Sequence, residues 1–409
     1  MRILYVCNRL WPFTLHRLPL AAAARDDGWD VHVAGPDEPA EVERLLAQRL
    51  VFHPIASAEG RLDPFALRRA VGDLAGLYDR LAPDIVHAVP LPAILSAGLA
   101  ARRRPVPAFV GSITGMGYLF TDGAGLLKRA FFRLLAVPLL RRALAQPCRV
   151  VIVQNRDDHD ALRSLRLFSD TPLRALDNPA LAINPIRLIR GSGVDVLRFP
   201  FTPEPPVDPA EGPEILLTAR FLRDKGVIEF VEAAERLAAR GVKARCTLLG
   251  WADPFNPEAI PERLLDAWRA RGVVRIEPAL PSADMPARWA RCHVACLPSY
   301  REGLSKSLLE AMATGRALVT TDVPGCRDLV RPGANGWRVP PRDAAALADA
   351  LAEAVSDPAR RVAFGREGRR LAEMEFSLSR ILGEILGLYR EYAGFGLEVV
   401  RRPSGCVKN

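Results

Sequence analysis

The 409-residue chain has no uninterrupted apolar run of about 18 residues, so no membrane-spanning helix is expected. Its first residues, Met1-Arg2-Ile3-Leu4-Tyr5-Val6, start directly as a strand pattern. They lack the basic, apolar and small-residue regions of a secretory leader, and none is expected. The seven cysteines include no Cys-x-x-Cys pair. Cys292-His293 with Cys296 comes nearest to a metal cluster. It lacks the usual paired-ligand spacing, and Cys296 lies in a strand-like run where a buried thiol acts as a small hydrophobe. No metal site is expected, and scattered thiols fit a reducing cytosol. Lysine is scarce too. Only Lys128, Lys225, Lys243, Lys306 and Lys408 occur, so the net charge of +9 is carried almost wholly by arginine. Such a charge fits nucleic acid, an anionic membrane or phosphorylated substrates. No aromatic-rich basic recognition motif is present, so nucleic acid is not an expected partner.

What the chain does have is alternation. Apolar runs at Ile3–Val6, Val31–Ala34, Ile85–Ala88, Ala108–Val110 and Val150–Val153 are separated by amphipathic stretches such as Leu18–Asp26 and Phe65–Leu81. The second half repeats the pattern, with Ile215–Thr218, Ala244–Leu249, Val274–Ile276, Val294–Leu297 and Ala317–Thr320 alternating with helices such as Val227–Arg240 and Ala344–Val355. Strands alternating with helices predict parallel sheets covered on both faces. Between the halves, residues 199–209 hold five prolines in eleven positions and exclude a helix or central strand. The fold class is therefore α/β, with two doubly wound, Rossmann-like domains facing a cleft. Residues 1–198 form the first domain, 199–213 a proline-rich linker, 214–380 the second domain and 381–409 a C-terminal helix and tail. Ligands of such sheets gather at the carboxyl ends of the strands.

The most informative stretch is Arg301-Glu302-Gly303-Leu304-Ser305-Lys306-Ser307-Leu308-Leu309-Glu310-Ala311-Met312-Ala313. It follows the strand-like run 294–297 and enters a helix. A helix N-terminus with unpaired N–H groups favours phosphate. Glu302 before that helix and Glu310 in its early turns are placed to hold hydroxyls on either side of a bound diphosphate, the layout of a nucleotide sugar. The plainer alternative is a capping box over Ser307-Leu308-Leu309-Glu310, with Glu302 a solvated loop charge. Upstream, Arg220 closes the run at 215–218 and Lys225 precedes the next helix. Two cations there suit a diphosphate leaving group, although surface exposure is the plainer reading. Thr320–Asp328 fits a strand-to-helix turn and Gly333–Gly336 a tight turn that needs positive φ; a purely structural role is the plainer reading of both.

Taken in order, Arg220…Lys225-Gly226, Gly250…Asn256-Pro257, Pro298-Ser299…Glu302-Gly303…Glu310-Ala311-Met312-Ala313, Gly325-Cys326-Arg327-Asp328 and Gly333…Asn335-Gly336 resemble retaining glycosyltransferases of family four, with the GT-B fold. Phe13-Thr14-Leu15-His16-Arg17-Leu18-Pro19-Leu20, Thr114–Phe120 and Gly191–Asp195 resemble the bacterial branch that builds capsular, exopolysaccharide and lipid-linked glycans. The resemblance implies that residues 1–198 face the acceptor and that 381–409 return to that domain. It implies that Glu310 holds the ribose, and that Glu302 with Gly303, Leu304 and Ser305 holds the donor sugar and diphosphate. Arg220 and Lys225 would stabilise the departing diphosphate without a metal or cofactor. His16, Arg17 and Thr114 fall on the acceptor side. Two departures stand out. Trp11-Pro12-Phe13 replaces a glycine pair common in relatives, and Thr114 stands where many carry a histidine.

The implied activity is transfer of a hexosyl or N-acetylhexosaminyl unit from a UDP-sugar to a polyprenyl-diphosphate-linked saccharide. A non-hydrolysing nucleotide-sugar epimerase and a non-catalytic two-domain sugar-binding protein stay open as alternatives. Residues 128–142 mix aromatics, leucines and five cations. They predict contact with an anionic membrane surface, hence a cytoplasmic, peripheral protein at the inner face of the plasma membrane. An ordinary packing helix kinked near Pro138 is the alternative.

Overall fold

The computed structural model describes residues 1–56, 63–115, 134, 136–146, 148–165, 185–253 and 256–401. The chain divides into two compact units, Met1–Ser192 with Leu382–Asn409, and Gly193–Ile381. The proline-rich stretch 199–213 thus lies within the second unit.

The first unit is built on seven parallel strands: β1 (Arg2–Cys7), β2 (Asp30–Gly35), β3 (Val51–Pro54), β4 (Ile85–Val89), β5 (Ala108–Ile113), β6 (Arg149–Val153) and β7 (Ile186–Leu188). Their order is β3-β2-β1-β4-β5-β6-β7, so strand order reverses between β1 and β4. The central strands are apolar almost throughout because both faces are covered. Leu4, Val6, Val86, Ala88 and Phe109 belong to a core with α4 (Pro64–Leu81), α5 (Leu91–Arg103) and α6 (Val137–Ala143). The α5 and α6 backbones approach so closely that a Cβ on Gly98 would lie 2.2 Å from the Ala143 carbonyl oxygen. Successive strand residues alternate faces, so Tyr5 and its ladder partner His87 turn the other way. There they meet α1 (Leu10–His16) and the last helix, α14 (Leu378–Arg401), through Phe13 and Tyr389, and α2 (Leu18–Asp26) follows α1 in the chain. Between β2 and β3 lies α3 (Pro39–Ala47), and α7 (Arg156–Ser164) follows β6.

The second unit holds six parallel strands: β8 (Glu214–Arg220), β9 (Arg245–Trp251), β10 (Arg275–Pro278), β11 (Val294–Leu297), β12 (Ala317–Thr321) and β13 (Gly336–Val339). Their order, β10-β9-β8-β11-β12-β13, reverses between β8 and β11. Around them run α8 (Val227–Ala239), α9 (Glu262–Arg271), α10 (Met285–Ala290), α11 (Lys306–Thr314), α12 (Ala344–Ser356) and α13 (Pro358–Glu375). The proline-rich stretch is strapped onto this unit by arginines. Arg361, fully buried, grips Glu204 with two bonds of 2.6 and 2.9 Å. Arg369 donates to the carbonyl of Phe199 at 2.7 Å, and Arg316 donates to those of Thr202 and Pro203. Prolines hold the segment extended, and its exposed carbonyls become acceptors for these side chains.

Three strands were not expected from the sequence: β3, β7 and β13. The first two are short edge segments with polar or proline positions, and β13 begins on a glycine. All the expected strands form, usually with one or two further residues at an end.

Candidate functional site

The candidate site lies at the reversal between β8 and β11, outside the carboxyl ends of the strands, where open α/β sheets bind ligands. Arg220 is the last residue of β8, and its Nη1 bonds Asp253 at 3.1 Å. A 3-10 turn, Arg223–Lys225, follows and ends on Gly226 in the left-handed region (φ 68°). A Cβ at Gly226 would lie 2.0 Å from the carbonyl oxygen of Pro298. The turn is thereby pressed against the loop that leaves β11. A backbone bond from Tyr300 N to Asp224 O, 2.8 Å, fixes it there.

That loop, residues 298–305, is held from the opposite side as well. Glu302 N donates to Pro324 O at 3.0 Å, and a Cβ on Gly325 would fall 2.5 Å from the Glu302 carbonyl oxygen. The result brings the sequence-predicted residues together. Lys225 Nζ lies 2.6 Å from Glu302 Oε1, which also accepts from Ser299 Oγ at 2.7 Å. Both side chains of the pair are more than four-fifths buried. Glu302 is thus an ion-paired group and not a solvated loop charge. Burial opposes the charge on Lys225, but Glu302 and Asp224 outweigh it and hold the ammonium above its ordinary lysine value. Lys225 is a fixed cation at neutral pH.

Helix α11 starts at Lys306, with Ser305 as its N-cap accepting from Leu308 N at 3.3 Å. This removes the capping-box alternative, because Glu310 falls beyond the first turn and caps nothing. Its carboxylate turns instead into the protein and accepts from Trp289 Nε1 at 3.3 Å. Burial raises its pKa, partly offset by Lys306, the Trp289 bond and Arg198. Burial in turn lowers that of Lys306, against the pull of Glu310. Gly303 and Ser305 are buried and Leu304 half-buried, which sets the backbone of the loop beside the helix N-terminus.

Sequence reasoning missed several members of this cluster. Lys306 was legible in principle, as one of only five lysines and one placed at a helix start. Asp253 and Trp289 gave no local signal; register and helix packing alone bring them in. The Cys292, His293 and Cys296 group is structural: His293 Nδ1 accepts from Glu214 N at 2.9 Å and its Nε2 contacts Pro205 O at 3.1 Å. Among the described residues, no cluster of three or more such ligands is arranged to hold a metal ion.

In the first unit, Thr114 directly follows β5, and His16 and Arg17 end α1. Thr114 and His16 are half-buried, whereas Arg17 is buried. Trp11-Pro12-Phe13 is helical, and Glu38 fills the α1 N-terminus by accepting from Leu10 N and Trp11 N, each at 3.0 Å. Of residues 128–142, only 134 and 136–142 fall among those described. Helix α6 buries Val137, Leu140 and Ala143 and leaves Arg141 and Arg142 exposed.

Comparison with known proteins gives two family matches: "Glycosyl transferases group 1" over residues 212–357 and "Glycosyl transferase 4-like" over 2–155. The alpha-D-kanosaminyltransferase of Streptomyces kanamyceticus is 31% identical over 179 residues, 44% of this chain and 46% of that protein. The chain thus spans less than half the length of that relative. The N,N'-diacetylbacillosaminyl-diphospho-undecaprenol alpha-1,3-N-acetylgalactosaminyltransferase of Campylobacter jejuni is 24% identical over 383 residues, 91% of this chain and 94% of that protein. The crystal structure of Anabaena HepE in complex with UDP superposes with a TM-score of 0.71 at 16% identity, covering 96% of this chain and 100% of that one.

Proposed function

Since the chain belongs to the family-four glycosyltransferases and has the GT-B fold, we propose that it is a retaining, metal-independent transferase that moves a sugar from a UDP-sugar to a polyprenyl-diphosphate-linked saccharide or related glycan. The observation that carries this reading is the Lys225–Glu302 pair beside the start of α11.

Transfer breaks the bond between the donor's anomeric carbon and the diphosphate, and negative charge accumulates on the departing oxygen. Arg220 and Lys225 meet that charge with two preorganised cations, and the α11 N-terminus adds backbone N–H groups. The cations here would supply the neutralisation that a divalent ion gives elsewhere. Glu302 keeps Lys225 charged and in place. In the donor complex its carboxylate would accept from a sugar hydroxyl beside that ammonium. Glu310 would accept from the ribose hydroxyls. Retention follows when the acceptor oxygen attacks the face that the diphosphate leaves, with its proton passing to the leaving group. No enzyme nucleophile is invoked.

The UDP in the Anabaena complex supports the choice of nucleotide, and the name of the Campylobacter relative supports a diphosphate-linked acceptor. Such an acceptor would bring the chain to the inner membrane face, with Arg141 and Arg142 of α6 toward anionic lipid. No helix among the described residues is long and apolar enough to cross a membrane.

The test is UDP release from a panel of UDP-hexoses and UDP-N-acetylhexosamines, with and without a prenyl-diphosphate-linked saccharide. Acceptor-dependent release with the anomeric configuration kept supports the proposal. Donor turnover without acceptor, giving an epimerised sugar, would replace it with an epimerase. Binding with no turnover would leave a sugar-binding protein.

A further inference from the structure

Arg17 stands where α1 ends and α2 begins, and only 2% of it is exposed. Its Nε and Nη2 are both buried with no hydrogen-bond partner among the described residues. These two nitrogens share one edge of the guanidinium plane. That edge grips an oxyanion through two parallel N–H···O bonds. The ends of α1 and α2 that meet at Arg17 carry opposite partial charges, so the helices leave little net field there.

Among the described residues, the groups around Arg17 do not supply a counter-charge. Tyr389 Oη donates to Tyr5 Oη at 3.1 Å, His87 Nδ1 contacts Tyr389 Oη, and His87 Nε2 contacts Ser112 Oγ at 2.7 Å. Burial raises the pKa of both phenols, and burial together with the Arg17 charge lowers that of His87, so all three are neutral near neutral pH. A guanidinium does not give up its proton in a protein. A buried cation without a counter-charge is strongly unfavourable. At the end of β1, Glu38 already occupies the start of α1.

We propose that Arg17 is an anion receptor of the first unit and closes its free edge on a phosphoryl oxyanion of the acceptor. The identity of the anion as the acceptor's phosphate rests on the transferase reading; the receptor itself does not. Both nitrogens are covered here, so the corner between α1 and α2 opens, or Arg17 turns, as the oxyanion arrives. Arg17 is then a binding residue with no part in the donor chemistry.

The experiment is calorimetric titration of the full chain, with saturating UDP present, using geranyl diphosphate, inorganic pyrophosphate and geraniol. Wild type, Arg17→Met, Arg17→Lys and Lys225→Ala are compared. Geranyl diphosphate should bind wild type and Lys225→Ala alike, and bind Arg17→Met at least about tenfold more weakly, the loss of a charge-assisted bond. Arg17→Lys keeps the charge but not the fork, and should fall in between. It also serves if Arg17→Met fails to fold. Equal, Arg17-dependent binding of pyrophosphate identifies a general diphosphate receptor. Binding of geranyl diphosphate alone identifies a lipid-linked one. Arg17→Met should melt no lower than wild type, because an uncompensated charge has been removed. Binding unchanged in both Arg17 variants overturns the proposal. So does a loss shared equally by Lys225→Ala, which would locate the ligand in the donor site. If the chain transfers no sugar yet keeps Arg17-dependent binding, the transferase reading fails and the receptor stands. If it transfers sugar to a diphosphate-linked acceptor with equal KM in wild type and Arg17→Met, the receptor fails alone.

Discussion

At the scale of single residues, Glu310 is a carboxylate set against its surroundings. Its folded pKa is raised, chiefly by burial. The stability it contributes is therefore fully present below the ordinary glutamate range and is lost as pH rises through the folded value. Glu310→Gln is neutral at every pH and escapes that loss. The variant should melt at or above wild type at neutral pH, and the two should converge in mild acid. Nucleotide affinity should fall nonetheless, by about 1.5–3 kcal/mol for a hydrogen bond to a charged acceptor. Thermal melts at two pH values, with UDP titration, check both halves. A variant that melts lower and binds UDP normally would make Glu310 a packing residue. Lys225→Ala should lower turnover by about 10²–10³ while weakening donor binding far less, because the diphosphate charge grows in the transition state. Saturation kinetics separate the two terms, and near-normal turnover at saturating donor would remove Lys225 from the chemistry. The residues of the candidate site were legible in the sequence because the chain spends lysine sparingly and sets Glu302 and Glu310 around a helix start. The Lys225–Glu302 contact was not, since it joins residues 77 apart that only the β8–β11 pairing brings together.

At the scale of elements, Gly226 and Gly325 hold the loop of residues 298–305. Gly226 needs both a left-handed backbone and the absence of a side chain against Pro298. Gly226→Ala should destabilise the second unit by more than the ~1–2 kcal/mol of left-handed strain alone, because the added methyl overlaps a backbone oxygen that cannot swing away. Chemical denaturation measures it. A cost below about 1 kcal/mol, less than the strain alone, would mean that the 3-10 turn shifts freely. The strands at the centre of each sheet were legible because burial on both faces writes them as apolar runs. The edge strands were not. Val51-Phe52-His53-Pro54 needs covering on one side only, so its polar positions resemble loop. The helix start at Ser305 instead of Ser307 was hidden by a run in which both serines satisfy the cap preference.

At the scale of the molecule, the division at 192/193 and 381/382 gives one unit a continuous chain and the other a chain in two pieces. Deleting residues 382–409 should leave the thermal transition of the second unit in place and lower or abolish that of the first, which loses Tyr389 from its buried network. Calorimetry resolves the two transitions, and a single unchanged pair would show that α14 is dispensable. Surface charge belongs to this scale as well. Replacing Arg129, Arg133, Arg141 and Arg142 with Gln should reduce co-sedimentation with anionic vesicles, at about 1 kcal/mol per cation, with salt weakening the wild type. Equal binding by both proteins would leave α6 a packing helix only.

The broken path of the chain also sets a timetable. Residues emerge from the ribosome in order, at about 5–20 per second. The seven-stranded sheet is translated first, yet its Tyr5 and His87 wait for a tyrosine more than 300 positions later. The second unit, uninterrupted from 193 to 381, can complete itself in the meantime. The half that is made first is thus the half that finishes last, and during synthesis its unclosed face is the one that chaperones would meet.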